Sequence, residues 1–345
     1  MPHQVAFTGS GGAYFRIWIV NLLLSVLTLG IYSAWAKVRR ERYFLNNTLL
    51  AGSPFEYHAD PMNILKGRLL AAAAIIVLSI VAEITPILNL FATLIFLALL
   101  PWMVSRSMRF RAHNTSWRGL RFGFSGTATE ALRPWLLWPV AVGLSLGLLM
   151  PFMIRAQWHY LLRNLRFGNT PFSIDAPIGP IYRVLIISGL WFIALAVAGA
   201  AAIGFSAYAA MRGMPSDSEA WQAMAGMGAI AIFVWLAVAM SLIAPWIQVR
   251  FANLRAGLMQ LGPHGFASSQ RVREYYPIVV TNWLLTVLTL GLFRPFAVTR
   301  VWRYRVEHFT VLAAGELDSF VAEQSAEAPV VGSEAADLLD IDLGF

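Results

Sequence analysis

Residues 21–30 read NLLLSVLTLG, and residues 282–291 read NWLLTVLTLG. The match continues at the same offset. Ala36, Arg39, Arg42 and Tyr43 are answered by Ala297, Arg300, Arg303 and Tyr304, and upstream Tyr14 and Ile17 are answered by Tyr275 and Ile278. A repeat of this kind decides architecture before any local propensity does. Each copy is an apolar run ending in Thr-Leu-Gly, then an aromatic residue, then a basic cluster. That order is expected of a chain leaving a bilayer.

The rest of the composition agrees. Of 345 residues, 58% are hydrophobic and only 13% charged, where an average soluble domain carries about a quarter charged residues. Apolar runs recur at about 14–36, 69–84, 87–104, 134–154, 184–210, 226–248 and 275–293. We therefore expect an all-α fold: a polytopic helical membrane bundle with pseudo-repeats and only minor short β segments on the cytoplasmic side. Residues 1–305 read as the integral membrane domain. Residues 306–345 read as an acidic, partly disordered cytoplasmic tail, because they hold nine of the 18 acids and no Lys or Arg.

The net charge of +8 comes from basic residues lying between apolar runs. This is the positive-inside pattern and implies no nucleic-acid partner. The chain has no cysteine, which excludes disulfides, thiol catalysis and thiolate metal sites. Its six His are scattered and no HExxH occurs, so no metal site, cofactor or enzyme activity is expected. Ala34-Trp35-Ala36 imitates a signal-peptidase site, but a basic segment before the first apolar run is missing, and the second copy lies deep in the chain.

Two topologies stay open. Seven ordinary spans would place the basic segments 155–183 and 250–273 outside. If instead 14–36, 134–154 and 275–293 dip in and return, four full spans remain, paired as 69–104 and 184–248. Every basic cluster and the C-terminus then face the cytoplasm.

The basic element recurs more widely than two copies. With Ala34-Trp35, Pro101-Trp102, Pro151-Phe152, Pro245-Trp246 and Pro295-Phe296 in register, Arg39, Arg106, Arg250 and Arg300 follow at one offset. Arg42, Arg109, His159 and Arg303 follow at the next, then Tyr43, Phe110, Tyr160 and Tyr304, then Asn47, Asn114, Asn164 and His308. Phe55, Phe122 and Phe172 share a later offset, with Tyr57, Phe124 and Ile174 two residues beyond. Each copy reads as a helix leaving the bilayer, an Asn cap, a brief extended segment and re-entry.

The stretches FTGSGGAYFRIW (7–18), NLLLSVLTLGIYSAWAKVRRERYF (21–44) and NTLLAGSPFEYHAD (47–60), and more loosely HYLLRNLRFGNTPFSI (159–174), resemble the YjgN family of bacterial inner-membrane proteins, a domain of unknown function. The resemblance covers residue 5 to about 310. It implies an integral inner-membrane protein and assigns no catalytic residue.

Candidate residues follow from cost and chemistry. Arg39, Arg42, Tyr43, Arg106, Arg109, Arg300, Arg303 and Tyr304 form a basic, aromatic-rich collar suited to lipid headgroups or another phosphate-bearing ligand. Topology anchoring would explain the same arginines. Asn21, Asn282, Thr28, Thr289 and Glu83 are polar positions within apolar runs. The expected partners are membrane lipids and a membrane protein docked through the acidic tail. The function we expect is non-enzymatic binding of lipid or partner at the cytoplasmic face. The alternative is a channel or secondary transporter for a small uncharged or anionic solute.

Overall fold

A computed structural model of the chain describes residues 1–216 and 218–327. The rest of the acidic tail, 328–345, lies outside them. The chain begins with strands β1 (Pro2–Gln4) and β2 (Ala6–Phe7) and then repeats one plan: a helical hairpin followed by a strand hairpin. First come α1 (Gly11–Leu27) and α2 (Ser33–Asn46), with β3 (Thr48–Leu50) and β4 (Ser53–Tyr57). Next are α3 (Pro61–Ile84) and α4 (Pro86–His113), with β5 (Thr115–Trp117) and β6 (Leu120–Phe124). The third helical hairpin ascends through α5 (Ala128–Leu132), a π-helical turn at Arg133–Leu137 and α6 (Trp138–Leu144). It descends through α7 (Met150–Arg163) into β7 (Leu165–Phe167) and β8 (Thr170–Ile174). The fourth unit is α8 (Ile178–Met211) and α9 (Glu219–Leu258), with β9 (Met259–Leu261) and β10 (His264–Ser268). The last is α10 (Val272–Leu288) and α11 (Arg294–Glu307), with β11 (Phe309–Leu312) and a terminal helix α12 (Leu317–Glu327).

The strands form one 11-stranded antiparallel sheet in the order β1-β11-β10-β9-β8-β7-β6-β5-β4-β3-β2. Its two ends are consecutive in sequence. Pro2–Gln4 pair with β11, Ala6 and Phe7 pair with β3, and Val5 N–H bonds Phe309 O between them at 3.1 Å. The sheet is thus a nearly closed barrel whose fifth strand hairpin is assembled from the two ends of the described chain.

This corrects the all-α expectation with minor β segments. Strands of two to five residues are too short to show a periodicity, and a lone two-stranded hairpin is marginal in water. Only the ring makes them a sheet. Inside it, the last residues of the first strands (Leu50, Trp117, Phe167, Leu261) and the middle residues of the second (Phe172, Phe266, with Val5) share one buried cluster. Adjacent ring centroids lie 5.0 Å apart at Phe122–Phe167 and 5.9 Å at Phe172–Phe266. The segment that reads as a tail also contributes: β11 completes the barrel, and α12 covers its end through Leu317 and Phe320.

Among the described residues four helices are long and apolar enough to cross a membrane: α3, α4, α8 and α9. The apolar segments 14–36, 134–154 and 275–293 each contain a turn, at 28–32, 145–149 and 289–293. Thr28 Oγ1 donates to Leu24 O (2.7 Å) and accepts from Tyr32 N (2.9 Å); Thr289 does the same with Leu285 O and Phe293 N at the same distances. Ser145 is the third copy, between Val142 O (3.2 Å) and Leu149 N (3.1 Å). The next two residues hold positive φ, near 50° at Leu29, Leu146 and Leu290 and near 92° at the glycines that follow. That second conformation requires glycine. The three leucines project from the tips, 94–95% exposed. Replacing Thr28 and Thr289 together by Val removes two bonds at each tip and should lower stability by about 2 kcal/mol per tip, measured as thermal unfolding in detergent. An unchanged midpoint would mean that the Leu-Gly backbone suffices.

The four long helices bury only 11–17% of their apolar windows. They pack as two pairs, α3 on α4 and α8 on α9, set apart by the short hairpins. Within the second pair, Trp235 donates to Leu195 O (2.8 Å) across Gly199, where any Cβ would collide with the indole. Gly199→Val should therefore separate α8 from α9, which a cysteine cross-link between them would report. Undiminished cross-linking would show that the indole can move aside.

Candidate functional site: a basic rim above an arginine-lined cavity

Five descending helices (α2, α4, α7, α9 and α11) deliver the chain to the barrel, and their side chains divide by position. The repeat's Ala34, Pro101, Pro151, Pro245 and Pro295 are all buried; Ala34 belongs to the core cluster that includes Ile64 of α3. Small or ring-closed residues allow that close approach.

Five residues on lies the rim. The Arg39 guanidinium sits 5.6 Å from the Tyr32 ring and that of Arg250 5.6 Å from the Trp246 ring. Both are exposed. Arg106, half-buried, has a partner of its own. Arg300 donates to Asn282 Oδ1 (2.8 Å), and Asn282 Nδ2 donates to Ala297 O (3.1 Å). Asn282 is therefore satisfied within its own hairpin. Its counterpart Asn21 is equally buried, but its Oδ1 has no partner among the described residues.

Three residues further, the side chains pin loops. Arg42 donates to Tyr57 O (3.1 Å) and Ala59 O (3.4 Å), and Arg303 to Gly9 O (2.7 Å). Asn253 holds Gln270 O (2.8 Å) in the fourth copy. Arg109 is half-buried, its charge acting on the Tyr160 hydroxyl. The aromatics beside these residues tie down the start of a neighbouring helix. The Tyr43 hydroxyl donates to Ser10 O and accepts from Ser10 N, both at 2.7 Å; Tyr304 does so at Arg271 (2.9 and 2.8 Å), and Tyr160 donates to Thr127 O (3.1 Å). Asn47, Asn114 and Asn164 cap their helices by bonding the carbonyl four residues back (2.7, 2.9 and 3.0 Å). Arg300, Arg303 and Tyr304 come together along a cleft of about 440 Å³ that also holds Glu307. Glu83 is exposed beside the Thr85-Pro86 break.

The opposite helix face looks inward. Between the helix ends and the barrel lies a cavity of about 1100 Å³. Arg111, Arg255 and Arg305 line it, ten residues after Pro101, Pro245 and Pro295; Leu161 stands there in the third copy. These arginines were not among the sequence candidates, although the register that found the rim contains them. Five residues along a helix are about 140° apart around its axis, so rim and cavity arginines cannot share a face. The surroundings are strongly cationic. The Lys37 ammonium is pushed below the usual lysine range by burial first, then by Arg68, with Arg111 among the other neighbouring cations.

At the barrel's far end, His264 sits under α12, its ring 4.5 Å from that of Phe320. Its Nδ1 accepts from Ala314 N (3.2 Å), so the proton is on Nε2, which has no partner among the described residues. Burial, then the N-terminal ammonium, holds its pKa below the ordinary 6.5. The folded value being the lower one, this contribution to stability is complete above the unfolded pKa of about 6.5 and is lost as pH falls through that value toward the folded one. Hydrogen exchange of residues 317–325, corrected for intrinsic rate, should rise from pH 7.5 to 5.5 and stay flat in His264→Gln. An equal rise in both proteins would remove His264 from the response. Among the described residues no group of three His, Cys, Asp or Glu could hold a metal ion.

A ring of helical hairpins on a short-stranded barrel, with four helices of membrane-crossing length, defines a membrane-protein architecture. The chain belongs to the family described as "Bacterial protein of unknown function (DUF898)", which matches residues 2–338. It is similar to the inner membrane protein YjgN of Salmonella typhimurium, 34% identical over 173 residues, or 50% of this chain and 42% of that protein. With YjgN of Escherichia coli K12 it shares 35% identity over 124 residues, 36% of this chain and 31% of the relative. The matched segment thus spans less than half of each relative's length. No solved structure matches. Neither the family's description nor its relatives' names carry an enzymatic activity.

Proposed function

We propose that the protein is a non-enzymatic, multi-pass component of the bacterial inner membrane that gathers anionic phospholipid headgroups at its cytoplasmic rim. The observation that carries this is the pairing of Arg39 with Tyr32 and of Arg250 with Trp246, each guanidinium exposed beside an aromatic ring. Arg39 lies six residues past the start of α2, roughly 9 Å below it by helix rise. The leucine tips above provide the apolar insertion that places the rim at headgroup depth. Arg42, Arg303, Tyr43 and Tyr304 are committed to internal bonds, so the headgroup role falls to the rim position, led by Arg39 and Arg250, with Arg300 (also bonded to Asn282) and Arg106 (which has a partner of its own) beside them. The poorly buried long helices favour a lipid-facing role over the alternative of a solute conduit. The acidic tail past α12 remains the element on which a membrane partner would dock, to be tested by pull-down with a chain ending at residue 327.

Native mass spectrometry after gentle extraction tests the reading. Phosphatidylglycerol or cardiolipin should co-purify with the wild type and fall at least fivefold when the four rim arginines become Gln. Equal retention would overturn it.

A further inference from the structure

We infer that the axial cavity is a binding site for a single-chain amphipathic anion, with its acidic head on Arg111 and Arg255 and its acyl chain in the aromatic lumen of the barrel. The site is separate from the rim, uses other arginines and stands whether or not the rim binds lipid.

The lining divides along the axis. At the helix ends it presents three guanidiniums and no carboxylate. Arg305 is already held, donating to Gln248 Oε1 (2.7 Å) and to the Tyr275 hydroxyl (2.9 Å). The guanidinium groups of Arg111 and Arg255 have no hydrogen-bond or ion-pair partner among the described residues. Below them the wall is Trp117, Phe122, Phe167, Phe172 and Phe266, and α12 closes the end. The volume, about 1100 Å³, is slightly above that of ordinary small-molecule sites, which run about 300–1000 Å³.

Each half of this lining excludes a simpler occupant. Water would hydrate the guanidiniums but finds few partners among the rings below. Inorganic phosphate would answer the arginines and leave the lumen unfilled. A neutral hydrocarbon would fill the lumen and leave like charges facing one another. An anionic head on an acyl chain satisfies both halves, and guanidinium offers paired donors to carboxylate or phosphate alike. The two heads remain to be told apart by experiment.

The test uses the full chain in phosphatidylcholine nanodiscs with cis-parinaric acid as the probe. Trp117, Trp158 and Trp302 line the cavity and serve as energy-transfer donors. Saturable transfer is expected, displaced by palmitate but not by methyl palmitate. Arg111→Gln/Arg255→Gln, which breaks no internal bond, should weaken probe binding at least tenfold, while Arg39→Gln/Arg250→Gln binds as the wild type does. Ala252→Phe, which fills the cavity without touching a charge, should weaken it comparably. Displacement by lysophosphatidylglycerol at lower concentration than palmitate assigns a phosphate head, and the reverse order a carboxylate. Non-saturable transfer, displacement by methyl palmitate as effective as by palmitate, or wild-type affinity in the double Gln variant would each overturn the inference. Since the rim variants are scored by co-purified lipid and the cavity variants by probe binding, either reading can fail alone.

Discussion

A chain lacking residues 2–7 is expected to lose its barrel. β1 and β2 join the two ends of the sheet, pairing with β11 on one side and β3 on the other. Removing them strips the ladder bonds from both neighbours, at roughly 1 kcal/mol each. It also exposes the places of Val5 and Phe7, both buried, at about 1.5–3 kcal/mol per side chain. The sum approaches the whole stability of an ordinary domain, about 5–15 kcal/mol. It leaves two open edges besides, and unpaired edges invite association between chains. The expected result is a large drop in the unfolding midpoint, with aggregation visible in size-exclusion chromatography. A monodisperse variant melting within about 2 °C of the wild type would show that the eleven strands do not depend on closure.

Phe44→Ala should be the most damaging single substitution, at about 3–5 kcal/mol. Phe44 is 2% exposed. It packs against Phe7 (6.0 Å between ring centroids), Tyr14 (4.7 Å) and Trp302 (5.1 Å), thus against β2, α1 and α11 at once. It is the first repeat's counterpart of Arg111, Arg255 and Arg305, and it is turned to a different use because its helix stands where the ends of the chain meet. Trp302 adds a bond to Thr48 Oγ1 (3.0 Å) across the same seam. Thermal unfolding followed by tryptophan fluorescence checks this prediction. A loss below about 1 kcal/mol would mean that Tyr43 and Trp302 close over the gap.

Part of the ring was legible in one dimension. The Asn caps, the basic rim and the aromatic offsets at Phe55, Phe122 and Phe172 all stand in register in the sequence. Phe266 continues them at the same distance from Pro245, and in the structure it lines the barrel beside them. The fifth place is taken by Val5 from the other end of the chain, which no linear offset can reveal. Tyr43 and Tyr304 show a different limit. An aromatic beside an arginine reads equally well as a headgroup contact or as a clamp on a backbone, and only the bonds to Ser10 and Arg271 distinguish the two.

The sequence by itself determined the membrane class, the repeat and the positions of the apolar segments, because hydropathy and identity at fixed offsets are local quantities. The tertiary structure decided that the short strands form a barrel, that the Thr-Leu-Gly segments are turns, and that a second set of arginines faces a cavity. Each of these depends on which copies become neighbours. A strand of three residues has no stable partner until the ring supplies one, and a cavity exists only between elements that the sequence keeps far apart.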